Sequence, residues 1–267
     1  EYTKDRLQGR NLDSPTNPEL PADPIIVHPD VRRMLLSIKS FNESARALSV
    51  WIAINVDIAE CHPNSESRNN ASDFLALMTP IAKAFLTDTS FENVNLALQC
   101  YGGHGYIRDH GMEQFVRDTR ITQLYEGTSG IQALDLVGRK LPQNMGRLLR
   151  QFFHPVDKFI QENINDNNLS EVIMPLAKSF ARLQQASAWV AENGMSNPNE
   201  AAGASSDYLK LFGLVTLGYM WAMMAKESLA KINDEKSNKE FYQDKINLSK
   251  FYMNKVLPET SSLLSKI

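Results

Sequence analysis

The sequence predicts an all-α protein. Apolar residues return at steps of three and four along most of the chain, and nowhere does a run alternate apolar with polar residues well enough for a strand. Clusters of Pro, Gly, Asn and Ser fall between the periodic segments, which implies antiparallel helices on short connections. With 267 residues, 43% hydrophobic and 22% charged, the chain can build one large or two ordinary cores.

The elements follow in order. The opening "EYTKDRLQGR" reads as the last turns of a helix ended by Gly9. It has no start of its own, so the chain is expected to be a piece of a longer protein. The prolines of "NLDSPTNPELPADPIIVHPD" deny it regular helix or a central strand, which makes 11–28 a linker or fitted surface loop. Pro29 suits a first helical turn. From there Val31, Met34, Leu35, Ile38, Phe41, Ala45, Leu48, Ile52 and Val56 form a stripe that should face a core. The polar break "CHPNSESRNNAS" should separate this helix from a second, from about Asp73 to Tyr101, which Pro80 either kinks or starts.

A glycine-dense stretch, "QCYGGHGYIRDHGMEQFVRDTRI", comes next and reads as a tight helix-ending loop. Its spacing is not G-x-G-x-x-G and no strand precedes it, so a Rossmann reading is rejected. His104 and His110 read as loop histidines, because no ligand partner stands at helical spacing; no metal site is expected. After "QLYEGTSGIQALDLVGRKL", whose helix should end near Pro142, four helical segments are expected. They are "MGRLLRQFFHPVDKFIQEN", "LSEVIMPLAKSFARLQQASAWVAENG", "SSDYLKLFGLVTLGYMWAMMAKESLAKI" and "KEFYQDKINLSKFYMNKVLPETSSLLSKI". In the third, Tyr208, Leu211, Phe212, Val215, Tyr219, Met223 and Lys226 share one face, widened by Trp221 and Met224, and read as packing surface. The division is thus a first helical unit at 1–142 and a second bundle at 143–267.

Composition limits the partners. A formal net charge of −3 and a pI near 6.0 leave no excess of cations for a nucleic-acid backbone. Cys61 and Cys100 lie far apart, without C-x-x-C spacing, which fits neither a disulfide scaffold nor a zinc cluster. A reducing, cytoplasmic setting is expected. No apolar run is expected to approach the ~20 residues of a membrane span, and no signal peptide opens the chain.

The residue that asks for an explanation is Glu126, a lone carboxylate between apolar segments and followed by Gly127, Thr128, Ser129 and Gly130. The flanks imply a buried or half-buried passage. One explanation is structural: a negative charge before a helix offsets its free N–H groups and dipole.

The other explanation comes from a resemblance. The ordered set "YTKDRLQGR", "HPDVRRMLL", "LALQCYGGHGYIRD", "VRDTRITQLYEGTSGIQ" and "DYLKLFGLVTLGYMWAMMA" resembles the C-terminal half of an acyl-CoA dehydrogenase over essentially the whole chain. More narrowly, it resembles the branch typified by 3-methylmercaptopropionyl-CoA dehydrogenase, in which a further helical domain follows the usual C-terminal bundle. The resemblance implies α,β-dehydrogenation of an acyl-CoA thioester, with FAD accepting the hydride and Glu126 as the base that takes the α-proton. Its main-chain N–H would bond the thioester oxygen, and burial beside the acyl chain would make the carboxylate more basic. Tyr125 and Gly127 are implied at the substrate, and Thr128 at the FAD of its own subunit. Arg6, Gln99 and Gly103 match positions that contact the FAD of a neighbouring subunit, which implies a homodimer or higher assembly. An electron-transfer flavoprotein or similar acceptor is implied as partner.

Two positions depart from the family pattern. "RLQGR" is one residue shorter than the common R-x-x-F-G and lacks its aromatic, and Gly130 stands where many relatives carry a polar FAD contact. Two other readings stay open at this point, a non-catalytic helical assembly module and an acyl-CoA oxidase.

Overall fold

The structure is a computed structural model describing residues 1–234 and 238–267; part of the connector before the last helical segment, 235–237, lies outside them. Eleven α-helices run through the described residues: α1 (Tyr2–Asp5), α2 (Pro29–Cys61), α3 (Ser65–Tyr101), α4 (Gly103–Tyr106), α5 (Met112–Thr122), α6 (Ser129–Asp135), α7 (Arg147–Asn163), α8 (Ser170–Ser196), α9 (Pro198–Lys231), α10 (Lys239–Phe251) and α11 (Glu259–Lys266). The all-α expectation holds. The only extended pairing among the described residues is an isolated antiparallel bridge between Leu7 and Pro24.

Local chemistry sets the ends. Pro29 occupies the first turn of α2 as expected. The second long helix begins earlier than Asp73, because Asn64 caps it: its side chain accepts the Ser67 N–H at 2.9 Å. The polar stretch that read as a break is therefore largely the first two turns of α3. Pro80 neither starts nor ends that helix; it is buried inside it. At the other end of the sequence, α1 stops at Asp5 rather than at Gly9, and Arg6 is already extended.

The stripe on α2 is only half a core face. Met34, Phe41 and Leu48 are buried, whereas Val56 is exposed, together with Val50 and Ile54. Helix α9 departs the other way: every residue from Leu211 to Ala222 is buried. One apolar face was expected, but α9 packs against α2, α3, α6, α8, α10 and α11, and its middle is buried on every side. By length and composition α9 is also apolar enough to cross a membrane, contrary to the sequence expectation, yet 83% of its apolar window is buried in this fold. It packs as the central helix of the core.

That core is continuous across residue 142. Phe41, Leu77 and Ile81 belong to the same buried cluster as Phe152, Leu176 and Trp221. At the α3–α9 crossing a Cβ on Gly213 would lie 2.2 Å from Cγ of Phe85, so only glycine permits this approach. Trp221 Nε1 donates to the Ser40 carbonyl at 3.1 Å, tying α9 to α2. The Tyr208 and Ser187 hydroxyls pair at 2.7 Å, and Tyr252 donates to the Leu214 carbonyl at 2.9 Å. Burial pushes both tyrosine hydroxyls up from their ordinary pKa, so they stay protonated.

Candidate functional site

Two separate regions hold the residues singled out from the sequence, one at the C-terminal end of α3 and one beside its middle. At the first, a cavity of about 620 Å³ is lined by Arg6, Gln99 and Gly103, with Gly102, His28 and Asp30 around them. Gly102 takes φ +58°, which turns the chain sharply out of α3. The glycine-rich turn is pinned to the N-terminal segment by aromatic contacts. Tyr2 stacks on Tyr101 with centroids 4.3 Å apart, and its hydroxyl pairs with His104 Nδ1 at 2.7 Å. His104 in turn stacks on His110 at 4.9 Å.

Arg6 is exposed, and neither its guanidinium nor the Gln99 amide has a polar partner among the described residues. The carboxylate in the lining, Asp30, is already paired with Arg33 at 2.8 Å. The unpaired donors therefore suit an anionic ligand such as a phosphate, which a guanidinium can grip through two hydrogen bonds.

The Pro-rich loop fixes Arg6 in place. The Ile25 N–H donates to the Arg6 carbonyl at 2.9 Å, and Gln8 and Gly9 exchange backbone bonds with Asp23. Asp23 is fully buried. Its carboxylate accepts the N–H groups of Asn11 (2.9 Å), Thr16 (3.0 Å) and Asn17 (3.2 Å). The loop is thus a compact structure folded around one carboxylate. The Asn11 N–H, then those of Asn17 and Thr16 and the Arg10 cation, outweigh burial and hold the Asp23 pKa below its ordinary value.

A carboxylate with a depressed folded pKa stabilises above its unfolded value, and that stabilisation is lost as pH falls toward the folded value. The loop at 11–27 should therefore lose amide-exchange protection below about pH 4, before the helical core does. Asp23→Asn should show low protection at every pH. Equal protection for loop and core down to acid pH would contradict this account.

The second region is the strap 124–128 between α5 and α6. Contrary to the sequence expectation, Glu126 is exposed, and its carboxylate has no hydrogen-bond or ion-pair partner among the described residues. Nor does it bond to the start of α6, whose N-cap is Thr128, so the capping explanation finds no contact here. Glu126 adopts φ +56°, a left-handed conformation that costs a residue with a side chain roughly 1–3 kcal/mol. Gly127 follows at φ +89°, where a Cβ would lie 2.8 Å from Gln132 Nε2. The N–H groups of Glu126, Gly127 and Thr128 meet no acceptor among the described residues. Several apolar side chains of the strap and its flanking helices, Phe115, Ile121, Leu124, Tyr125 and Ile131, are exposed as well.

What holds the strap was not legible from the sequence. Lys83 on α3 donates to the Gly127 carbonyl. One oxygen of Asp88, also on α3, accepts from Gln123 Nε2 and from Ser129 Oγ, both at 2.7 Å. These partners lie 35 to 44 residues apart in sequence, so no local pattern could reveal them. Glu126, Tyr125, Gly127 and Thr128 thus share one strap, while Arg6, Gln99 and Gly103 share the cavity. The rise of a helix places Asp88 and Gln99 roughly 16 Å apart along α3.

Among the described residues no group of three or more His, Cys, Asp or Glu side chains gathers as a metal site. A further cavity of about 460 Å³, between the turn at 136–146 and the α8–α9 junction, is lined by Val137, Leu141, Met145, Val190 and Met195 and has no titratable group.

Residues 20–141 match the family described as "Acyl-CoA dehydrogenase, C-terminal domain", and residues 152–267 match "Acetyl-CoA dehydrogenase C-terminal like". The chain is 34% identical over its full length to 3-methylmercaptopropionyl-CoA dehydrogenase of Ruegeria pomeroyi, covering 45% of that protein. It is 30% identical to a butyryl-CoA dehydrogenase of Syntrophomonas wolfei, over 97% of this chain and 42% of the relative. In fold it is similar to an acyl-CoA dehydrogenase from Bacillus anthracis solved with FAD (TM-score 0.70, 16% identity, 99% of this chain and 44% of that one). It is also similar to Arabidopsis thaliana acyl-CoA oxidase 1 (TM-score 0.65, 15% identity, 99% and 43%). The chain therefore spans less than half the length of the proteins it matches.

Proposed function

The chain belongs to the acyl-CoA dehydrogenase family, and from that premise we propose that it supplies the proton-abstracting part of an FAD-dependent enzyme that desaturates acyl-CoA thioesters. One observation carries the reading: a carboxylate on a positive-φ strap that, like its own N–H, has no partner among the described residues, with exposed apolar side chains on the strap and its flanking helices. Glu126 is the base that removes the α-proton. As the proton leaves, negative charge moves to the thioester oxygen, where the unpaired Glu126 N–H can donate. Gly127 keeps side-chain bulk away from the thioester, and Tyr125 adds an apolar wall for the acyl chain. When bound, FAD supplies the acceptor for the β-hydride.

The cavity residues fit such a cofactor. Arg6 and Gln99 offer donors without partners among the described residues, and Gly103 bears no side chain to obstruct a phosphate. Their distance from the strap supports a shared arrangement, in which Glu126 and Thr128 serve one flavin and Arg6, Gln99 and Gly103 serve that of a neighbouring subunit. We place the working enzyme as a cytoplasmic homodimer or higher assembly in fatty acid metabolism, with an electron-transfer flavoprotein or similar acceptor as its partner. The units 1–142 and 143–267 would act as one folded body, the first holding every assigned residue.

The test is a panel of acyl-CoAs, including 3-methylmercaptopropionyl-CoA and butyryl-CoA, offered to the full-length flavin-loaded protein with a dye acceptor. Enoyl-CoA formation is expected. No product from any acyl-CoA would favour a non-catalytic assembly module, and peroxide formed without added acceptor would mark an oxidase.

A further inference from the structure

We propose that Asp88 and Lys83 of α3 are positioning residues that clamp the strap and thereby aim the Glu126 carboxylate, an inference that rests on Glu126 being the base. Among the described residues the N–H groups at 126, 127 and 128 find no acceptor, and the strap's backbone bonds lie only at its ends, where Leu124 and Tyr125 donate to the Ile121 carbonyl and Thr128 accepts from Gln132. Glu126 nevertheless sits in a left-handed conformation, which persists only where surrounding contacts fix it.

The fixing contacts are few and come largely from one helix. Asp88 Oδ1 bridges the two ends of the strap by accepting from Gln123 and Ser129 at 2.7 Å each, so the ends cannot separate without breaking a bond to a charged acceptor. Lys83 holds the Gly127 carbonyl, immediately beside the base. Gln132 Nε2 adds a longer bond to the Glu126 carbonyl at 3.3 Å. Asp88 and Lys83 grip opposite polarities: the carboxylate takes side-chain donors at the strap ends, and the ammonium takes a main-chain acceptor at its centre. A substrate that must meet the base within about 1 Å makes such a clamp consequential, since a displacement of that size can cost on the order of a hundredfold in rate.

The experiment uses the full-length, flavin-loaded protein. Asp88→Ala should lower kcat about 10- to 100-fold while KM and flavin content stay near those of the parent. Asp88→Asn keeps an acceptor oxygen and should restore most of the activity. In a Glu126→Gln background the same Asp88→Ala change should add little, about twofold or less, because both act through one group. Amide exchange across 124–128 should accelerate in Asp88→Ala and in Lys83→Met.

If Asp88→Ala fails to fold or to hold flavin, the pair Gln123→Ala with Ser129→Ala removes the same bonds from the other side and should give the same kcat loss. Unchanged kcat in either set, beside an inactive Glu126→Gln, overturns the clamp alone. An equal loss in the Glu126→Gln background also overturns it. Full activity of Glu126→Gln refutes the base assignment itself, and with it the clamp's catalytic purpose.

Discussion

Glu126→Gln in the full-length enzyme should retain bound FAD and lose turnover by about 10²–10⁴-fold, the cost of removing a positioned general base. The substitution is close to isosteric and leaves the Glu126 N–H in place, so the donor for the thioester oxygen survives. The strap should survive as well. Its known contacts use the Gln123 and Ser129 side chains and the carbonyls of Glu126 and Gly127, none of which the change touches. The loss should therefore appear in kcat, with KM little altered, because binding and chemistry draw on different groups. A variant that turns over at near the parent rate would leave the carboxylate without the role assigned to it.

The second large effect concerns the fold. Trp221→Ala should destabilise the 267-residue chain by about 3–5 kcal/mol, as expected for emptying a fully buried aromatic site. At roughly 2–4 °C per kcal/mol for a chain of this size, the thermal midpoint should fall on the order of 10 °C. Trp221→Phe should cost much less, because the Ser40 carbonyl also accepts from Ser44 Oγ at 2.8 Å and is not orphaned when the indole N–H is lost. The location matters as much as the size. Trp221 joins α9 to α2 across the family-domain boundary, so helices on both sides of residue 142 should melt together. Two resolved transitions, with only the later helices affected by Trp221→Ala, would contradict the single core.

Local chemistry explains what could be read directly and what could not. The start of α2 was legible because Pro29 and the three-four spacing are properties of neighbouring residues. The start of α3 was missed because an Asn cap followed by polar first turns looks like a loop until its bonds are seen. The enclosure of α9 was underestimated because one apolar face was enough to predict packing, while burial on all sides depends on six other helices. The same division applies to the site. Glu126 stood out through its own neighbours, and Arg6, Gln99 and Gly103 through an ordered family pattern. The exposure of Glu126 in this chain, the fold of 11–27 around Asp23 and the grip of Lys83 and Asp88 on the strap are long-range outcomes. No composition or spacing announces them.

Removal of the α-proton of an acyl-CoA by Glu126 is the step on which the proposed function turns. Its most direct test is exchange of that proton with solvent: the full-length, flavin-loaded protein is incubated with acyl-CoA in heavy water without an electron acceptor, and deuterium at Cα is followed by mass spectrometry and NMR. The parent protein should place deuterium at Cα, and Glu126→Gln, with equal flavin and equal acyl-CoA binding, should slow that exchange by about the factor lost in turnover. Exchange at the parent rate in Glu126→Gln would contradict the assignment and show that another group takes the proton.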